Sequence, residues 1–259
     1  MSIATEISRL NTAKSDIKTA IQNKGVSVPS STKIDGYPSL ISQIQTFDPT
    51  NGHEYVEIGG LKWATMNIGA NSVTDYGLYF QWGDTSGYES SQVGASGNAL
   101  VKTFGWADYK FSNGNTAPAQ SGQTKYNSGD TKTVLDMCDD AARANWGGNW
   151  RMPTTDEYAA LGAAVNSAWT ADYQGSGVSG LVLTDKTDSS KVLFFPAAGL
   201  CYDGSVYDVG SGGLYWSSSV YSSNVQRVYR MYFDSSSVSW QSYYGYRYNG
   251  FAVRGVLGE

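Results

Sequence analysis

His53 is the single histidine of the chain, and Cys138 and Cys201 are its two cysteines. One imidazole assembles neither a Ser-His-Asp triad nor a histidine metal cluster, so His53 reads as a polar residue at a domain junction. Two cysteines far apart in sequence supply neither a zinc ligand set nor a disulfide framework; they are expected as buried thiols, with one bridge between them left open. Asp136, Asp139 and Asp140 crowd one predicted helix but lack the glycine turn and ligand alternation of a calcium loop, which makes helix solvation or a buried structural hydrogen bond their expected role. Glycoside hydrolysis needs two carboxylates across a cleft; Asp203, Asp208 and Asp234 could be arranged that way, but nothing in their spacing favours it over solvated turn residues. No catalytic residue, metal ligand or cofactor is assigned.

Chemistry of another kind, non-covalent recognition, is concentrated in residues 217–250, SSSVYSSNVQRVYRMYFDSSSVSWQSYYGYRYNG, which hold many Tyr and Ser, several Arg and no Lys. Tyrosine offers a stiff apolar ring with a hydroxyl at low ordering cost, Ser and Asn add adaptable hydrogen bonds, and Arg adds planar donors that stack on rings. Strand alternation separates a fixed set, Val228, Met231, Phe233, Val238, Phe251 and Val253, from a displayed set, Arg227, Tyr229, Arg230, Tyr232 and Asp234. Tyr243, Tyr244, Tyr246, Tyr248 and Asn249 cannot all face a core, because strand neighbours point to opposite faces. An exposed aromatic patch of that size implies a partner. Tyr221, Ser223 and Asn224 are expected in a loop beside the same surface. Gln226, Trp240 and Gln241 read as scaffold or rim, and Ser217 to Ser219 as scaffold. The competing reading is a solvated strand with cross-strand tyrosine pairs.

These residues need a scaffold, and 259 residues are enough for one large domain with an appendage. Ile3, Ile7, Leu10, Ile17 and Ile21 recur at four-three spacing, broken on the seam by Lys14, and predict an amphipathic helix over residues 3–21 that wants a partner. A short helical pattern through Ile34, Tyr37, Leu40, Ile41 and Ile44 follows, and the domain boundary is placed at Phe47 to Asn51. Beyond it come short strands, YVEIGGLKWATMNIG, YGLYFQWGD, VSGLVLTDK, KVLFFPAAG, LYWSSS, VYRMYF and FAVRGV. Two helices interrupt them: one over Thr131 to Asn145 with Leu135, Cys138, Ala141 and Ala142 on one face, one starting at Thr154, whose spacing to Glu157 is that of a capping box. The class is α+β, with long ordered loops such as Thr85 to Lys125. With 18 basic against 23 acidic residues and no run of like charge, nucleic acid is not expected as a partner. No stretch is apolar enough to span a membrane, and the N-terminus lacks the basic and apolar regions of a signal peptide; a soluble chain that is not exported is expected.

LKWATMNIGA, YGLYFQWGDT, DDAARANWGGNWRMPTTDEY, FFPAAG, YWSSS and GFAVRGV, in that order over roughly residues 53 to 256, resemble the Fibrobacter-succinogenes-major-paralogue type of domain. That is a C-type-lectin-like fold related to the formylglycine-generating-enzyme fold. Residues 1–46 resemble a helical module at the start of phage tail-associated proteins. Together they resemble a variable protein of a diversity-generating retroelement. The resemblance implies a helical attachment module over residues 1–47 and a ligand-binding domain over 48–259. It also implies a variable region near 215–255, rewritten at adenines by a reverse transcriptase. Adenine changes in asparagine codons give Tyr, Ser, Asp, Gly and Arg but not Trp, Glu, Lys, Met or Gln, which suits the displayed set.

The enzyme branch of this fold uses two reactive cysteines late in the chain, where Cys201 stands alone, so no enzyme is expected. The implied partner is a host-surface protein or glycan, the implied location a phage tail in the virion, or the cytoplasm before assembly, and the N-terminal helix is a candidate for trimer formation. A non-diversified surface adhesin or structural protein of the same family is the alternative.

Overall fold

The Ser2 hydroxyl accepts from the Thr5 backbone N–H at 3.1 Å and starts helix α1, Ile3–Asn23. The structure is a computed structural model that describes residues 2–24, 26–44, 48–95, 101–113, 122–221 and 223–258, with backbone alone at Ser242 and Tyr243. The chain divides into two compact units, Met1–Asp48 and Pro49–Glu259; Phe47, in the expected boundary segment, lies outside the described residues. In the first unit Ile21 and Val28 pack on Tyr37, which opens helix α2, Tyr37–Ile41. The rest of the predicted seam is uncovered: Ile3 is 82%, Ile7 54%, Leu10 57% and Ile17 39% exposed. Among the described residues no helix is long and apolar enough to cross a membrane.

The second unit mixes helix with antiparallel sheet. β1 (Tyr55–Ile58) and β2 (Leu61–Asn67) form a hairpin extended by β12 (Arg254–Leu257) and β3 (Trp150–Arg151) into a sheet of order β1-β2-β12-β3. A second sheet runs β4-β5-β6 (Val165–Thr170, Gly180–Asp185, Val192–Pro196), and β7 (Leu200–Tyr202) pairs with β8 (Ser205–Tyr207). The third sheet, β9 (Gly212–Val220), β10 (Arg227–Asp234) and β11 (Val238–Tyr246), is ordered β11-β10-β9 and holds most of the recognition residues. Trp82, Trp150, Trp216 and Phe251 centre one buried cluster; Trp63, Tyr158, Phe195, Tyr215 and Phe233 centre another. Removing each such side chain from water contributes about 2–3 kcal/mol.

Two predicted elements are corrected. Helix α3 spans only Ala141–Trp146, not Thr131 to Asn145. The Asp140 carboxylate accepts from the Arg143 N–H at 3.0 Å and starts the helix there. Residues before it are drawn out to β9, Val220 donating to the Thr133 carbonyl and Leu135 to that of Ser218. Cys138 is consequently exposed rather than buried. The stretch YGLYFQWGD is no strand: Tyr79 bridges Tyr88, Phe80 bridges Phe251, and Trp82 donates to the Arg247 carbonyl, so successive residues pair with different segments. Helix α4, Thr155–Ala164, starts as its capping box predicts, with Thr154 Oγ1 accepting from the Glu157 N–H and the Glu157 carboxylate from the Thr154 N–H.

Candidate ligand-binding surface

Strand pairing decides which recognition residues meet. Arg227 lies opposite Tyr246 and Tyr229 opposite Tyr244, so these four share one face of the β10–β11 hairpin. Val228, Met231 and Phe233 turn to the other side and are fully buried, as are Phe251 and Val253; Val238 is half-buried against the same core. The Arg227 guanidinium stands 4.6 Å from the Tyr244 ring centre and 4.7 Å from that of Tyr246, and donates to the Tyr246 hydroxyl at 3.0 Å. Tyr221, from the β9–β10 loop, stacks on Tyr244 at 4.4 Å and meets Tyr229 edge-on at 5.3 Å. Beyond the strand end Tyr248 stacks on Tyr246 at 5.4 Å. The result is one continuous ladder of rings with a cation in it.

Trp106 extends the ladder from a remote loop, 4.7 Å from Tyr248 and 6.3 Å from Tyr246. Sequence reading missed it, and no periodicity around Trp106 could have found it. Asp108 ties this loop: its carboxylate accepts from the backbone N–H groups of Thr103, Phe104 and Gly105 and from Gln81 Nε2. Burial opposes ionisation of Asp108, but Lys102 and these donors outweigh it and its pKa falls. Gln81 Nε2 also donates to the Tyr248 carbonyl at 3.0 Å, linking the loop to the ladder. Arg247, in the middle of the Tyr-rich run, is wholly buried; it donates to the Lys125 and Tyr126 carbonyls and lies over Trp82. It is scaffold.

The remaining predicted residues separate from the ladder. Arg230 lies over the Phe251 and Tyr232 rings at 5.4 and 5.2 Å. The Tyr232 hydroxyl donates to Asp234 at 2.7 Å, at the far end of the hairpin; that bond raises the Tyr232 pKa to about 12 and lowers that of Asp234. Asn224 accepts from the Gln226 N–H and shapes its own loop, Ser223 is exposed, and Asn249 is half-buried with its N–H on the Tyr246 carbonyl. Tyr243 pairs with Arg230 in register; its side chain lies outside the described residues.

The groups weighed for catalysis have other occupations. His53 stacks on Trp146 at 3.9 Å, and burial lowers its pKa. Cys201 is buried, which pushes its thiol up to about 12. Asp203 and Asp208 sit in left-handed turn conformations beside the β7–β8 hairpin. Ligand atoms of Asp136, Cys138 and Asp139 come within 4.8 Å of one another, but both carboxylates are already neutralised. Asp139 accepts from Lys110 Nζ at 2.8 Å, from the Tyr126 hydroxyl at 2.7 Å and from Lys125, while Asp136 pairs with Lys125 and Lys132.

Burial opposes ionisation of Asp139, yet the Lys110, Lys125 and Tyr126 bonds prevail and hold its pKa at about 2. A carboxylate whose folded pKa is depressed contributes stability that is complete above its unfolded pKa of about 3.9 and is lost as pH falls toward the folded value. Urea unfolding is therefore expected to show the wild type about 2 kcal/mol more stable than Asp139→Asn at pH 7. The difference is expected to shrink steadily between pH 4 and pH 2; a difference independent of pH contradicts the assignment.

No curated protein and no solved structure matches the chain. The segment from β5 to β12, which carries every ladder residue except Trp106, is similar to a family described as a domain of unknown function (DUF8237), matched over residues 183–256.

Proposed function

We propose that the chain is a ligand-binding protein whose contact surface is the ladder of Tyr221, Tyr229, Tyr244, Arg227, Tyr246 and Tyr248 with Trp106 beside it, presented on a C-type-lectin-like scaffold. In this reading it is a variable protein of a diversity-generating retroelement, carried on a phage or prophage tail, and its partner is a host-surface protein or glycan. The observation that carries the reading is that these half-exposed aromatics stack on one another across a hairpin and two loops, with Tyr248 and Trp106 also resting on the core at one end. Stacked rings spend their faces on each other, so hydroxyls, ring edges and one guanidinium remain for a partner. The exposed apolar seam of α1 supports the companion reading that the first unit joins three copies.

The test is to probe arrays of glycans and of bacterial surface proteins with the intact chain and with the double variant Tyr244→Ser, Tyr246→Ser. Targets held by the wild type are expected to lose at least ~100-fold in affinity, with the unfolding midpoint nearly unchanged. Undiminished binding by the variant would sink the proposal. Loss of folding would make these tyrosines part of the core. Diversification itself is read from the neighbouring DNA, where a near-copy of the codons for residues 215–255 differing at adenines, beside a reverse transcriptase gene, is expected. Its absence would leave a non-diversified adhesin.

A further inference from the structure

Five of the eight tryptophans are buried; of the other three, Trp106 belongs to the ladder, and Trp169 and Trp240 stand on the walls of a second cleft. This cleft, about 400 Å³, opens at the opposite end of the β10–β11 hairpin, between the turn after Asp234 and strands β4 and β5. Its size falls within the range of small-molecule sites. Trp240 is pinned from behind: its indole lies over Gly162 of α4, where a Cβ would come within 2.6 Å of three ring atoms. Trp169 rests at a tilt on the buried Phe233, ring centres 6.3 Å apart, and Leu181, 1% exposed, lies beneath. Two indoles held in place by the core yet left half-buried at one cleft offer apolar surface to something outside the chain.

The polar side of the cleft has a defined sense. One Asp234 oxygen accepts from both the N–H and the hydroxyl of Ser236 and of Ser237, and the other from the Tyr232 hydroxyl. Because the Ser236 and Ser237 hydroxyls give their protons to Asp234, their oxygens can turn only lone pairs to a ligand. Ser167 and Ser235, both exposed, add hydroxyls at the rim. Acceptors beside an ionised carboxylate select a ligand that donates several hydrogen bonds and carries no negative charge.

We propose that this cleft binds a neutral saccharide unit, the C–H face of the pyranose against the indoles and its hydroxyls donating to the serine oxygens. Glucose, galactose, mannose and N-acetylglucosamine are the probes, titrated to about 50 mM into isotope-labelled intact chain while the indole N–H signals are followed by NMR. At least one sugar is expected to shift Trp169 and Trp240 together, leaving Trp106 in place, with a Kd on the order of 1 mM. Glucuronate is expected to bind at least tenfold more weakly than glucose. Ser167→Arg, which fills the mouth from an exposed position, is expected to weaken binding at least tenfold without moving the unfolding midpoint; Ser235→Arg on the other rim repeats the test if that variant does not fold. No shift with any of the four sugars, equal binding of glucuronate, or unaltered affinity in the folded rim variant overturns the proposal.

Discussion

Replacing Arg254 with methionine is expected to destabilise the second unit by about 4 kcal/mol, read as a fall in the urea midpoint at unchanged slope. Arg254 is fully buried on β12, and its guanidinium reaches three acceptors on two other strands. Nε and Nη2 donate to Asn67 Oδ1 on β2, Nη1 to the Ala64 carbonyl on β2, and Nη2 also to the Phe194 carbonyl on β6, all at 2.8 to 3.0 Å. The Phe195 ring lies 4.4 Å beneath. Asn67 in turn donates to the Tyr215 hydroxyl, which donates to the Pro196 carbonyl. Burial lowers the pKa of the guanidinium, and the partners that offset this among the described residues are neutral oxygens. Methionine fills much of the volume but leaves three buried acceptors without donors, each costing about 1–3 kcal/mol. Lysine keeps the charge but not the fork that meets several acceptors at once, so Arg254→Lys is expected to lose more than half as much. A change below about 1 kcal/mol in the methionine variant would show that the network carries no net stability.

Introducing aspartate at Leu10 is expected to convert the proposed three-chain assembly into single chains, with the mass read by light scattering. Ile3, Leu10 and Ile17 share one heptad position, and Ile7 shares the other with Lys14 and Ile21. Isoleucine at both positions favours more than two strands, and a seam lysine fixes register. Ile21 is already covered by Val28 and Tyr37, so the open seam runs from Ile3 to Ile17. Burying four such side chains contributes about 2 kcal/mol each. Leu10→Asp sets three carboxylates together on the bundle axis, where repulsion and desolvation oppose assembly. Released helices of 21 residues are marginal alone, so circular dichroism should lose helical signal in step with the mass. A wild-type mass of one chain at micromolar concentration would dispose of the trimer. Ladder contacts lie in the other unit, and binding per chain should be unchanged.

What was legible in the sequence is what short-range physics controls. The apolar period places α1, and Thr154 and Glu157 three residues apart place the start of α4. The apolar residues of β10 mark the inward set Val228, Met231 and Phe233, although a register shift between Arg230 and Tyr232 is what lets Val228 and Met231 share a face. Failures came where a distant partner outweighed local preference. Thr133 and Leu135 gave their backbone hydrogen bonds to β9 and shortened the predicted helix. Nothing local marks Arg247 and Arg254 as interior, yet both are buried, because the Tyr126 carbonyl, 121 residues away in sequence, and the Asn67 side-chain oxygen, 187 away, replace their water.

The recognition residues divide along the same line. Sequence alone showed a Tyr-, Ser- and Arg-rich segment too aromatic to be buried in full. Only the β10–β11 register, the β9–β10 loop and the loop carrying Trp106 decided which side chains stack together, and sent Tyr232 and Asp234 to the other end of the hairpin. Composition is a property of the chain, but a shared face is made by pairing strands, and pairing is settled by the whole core.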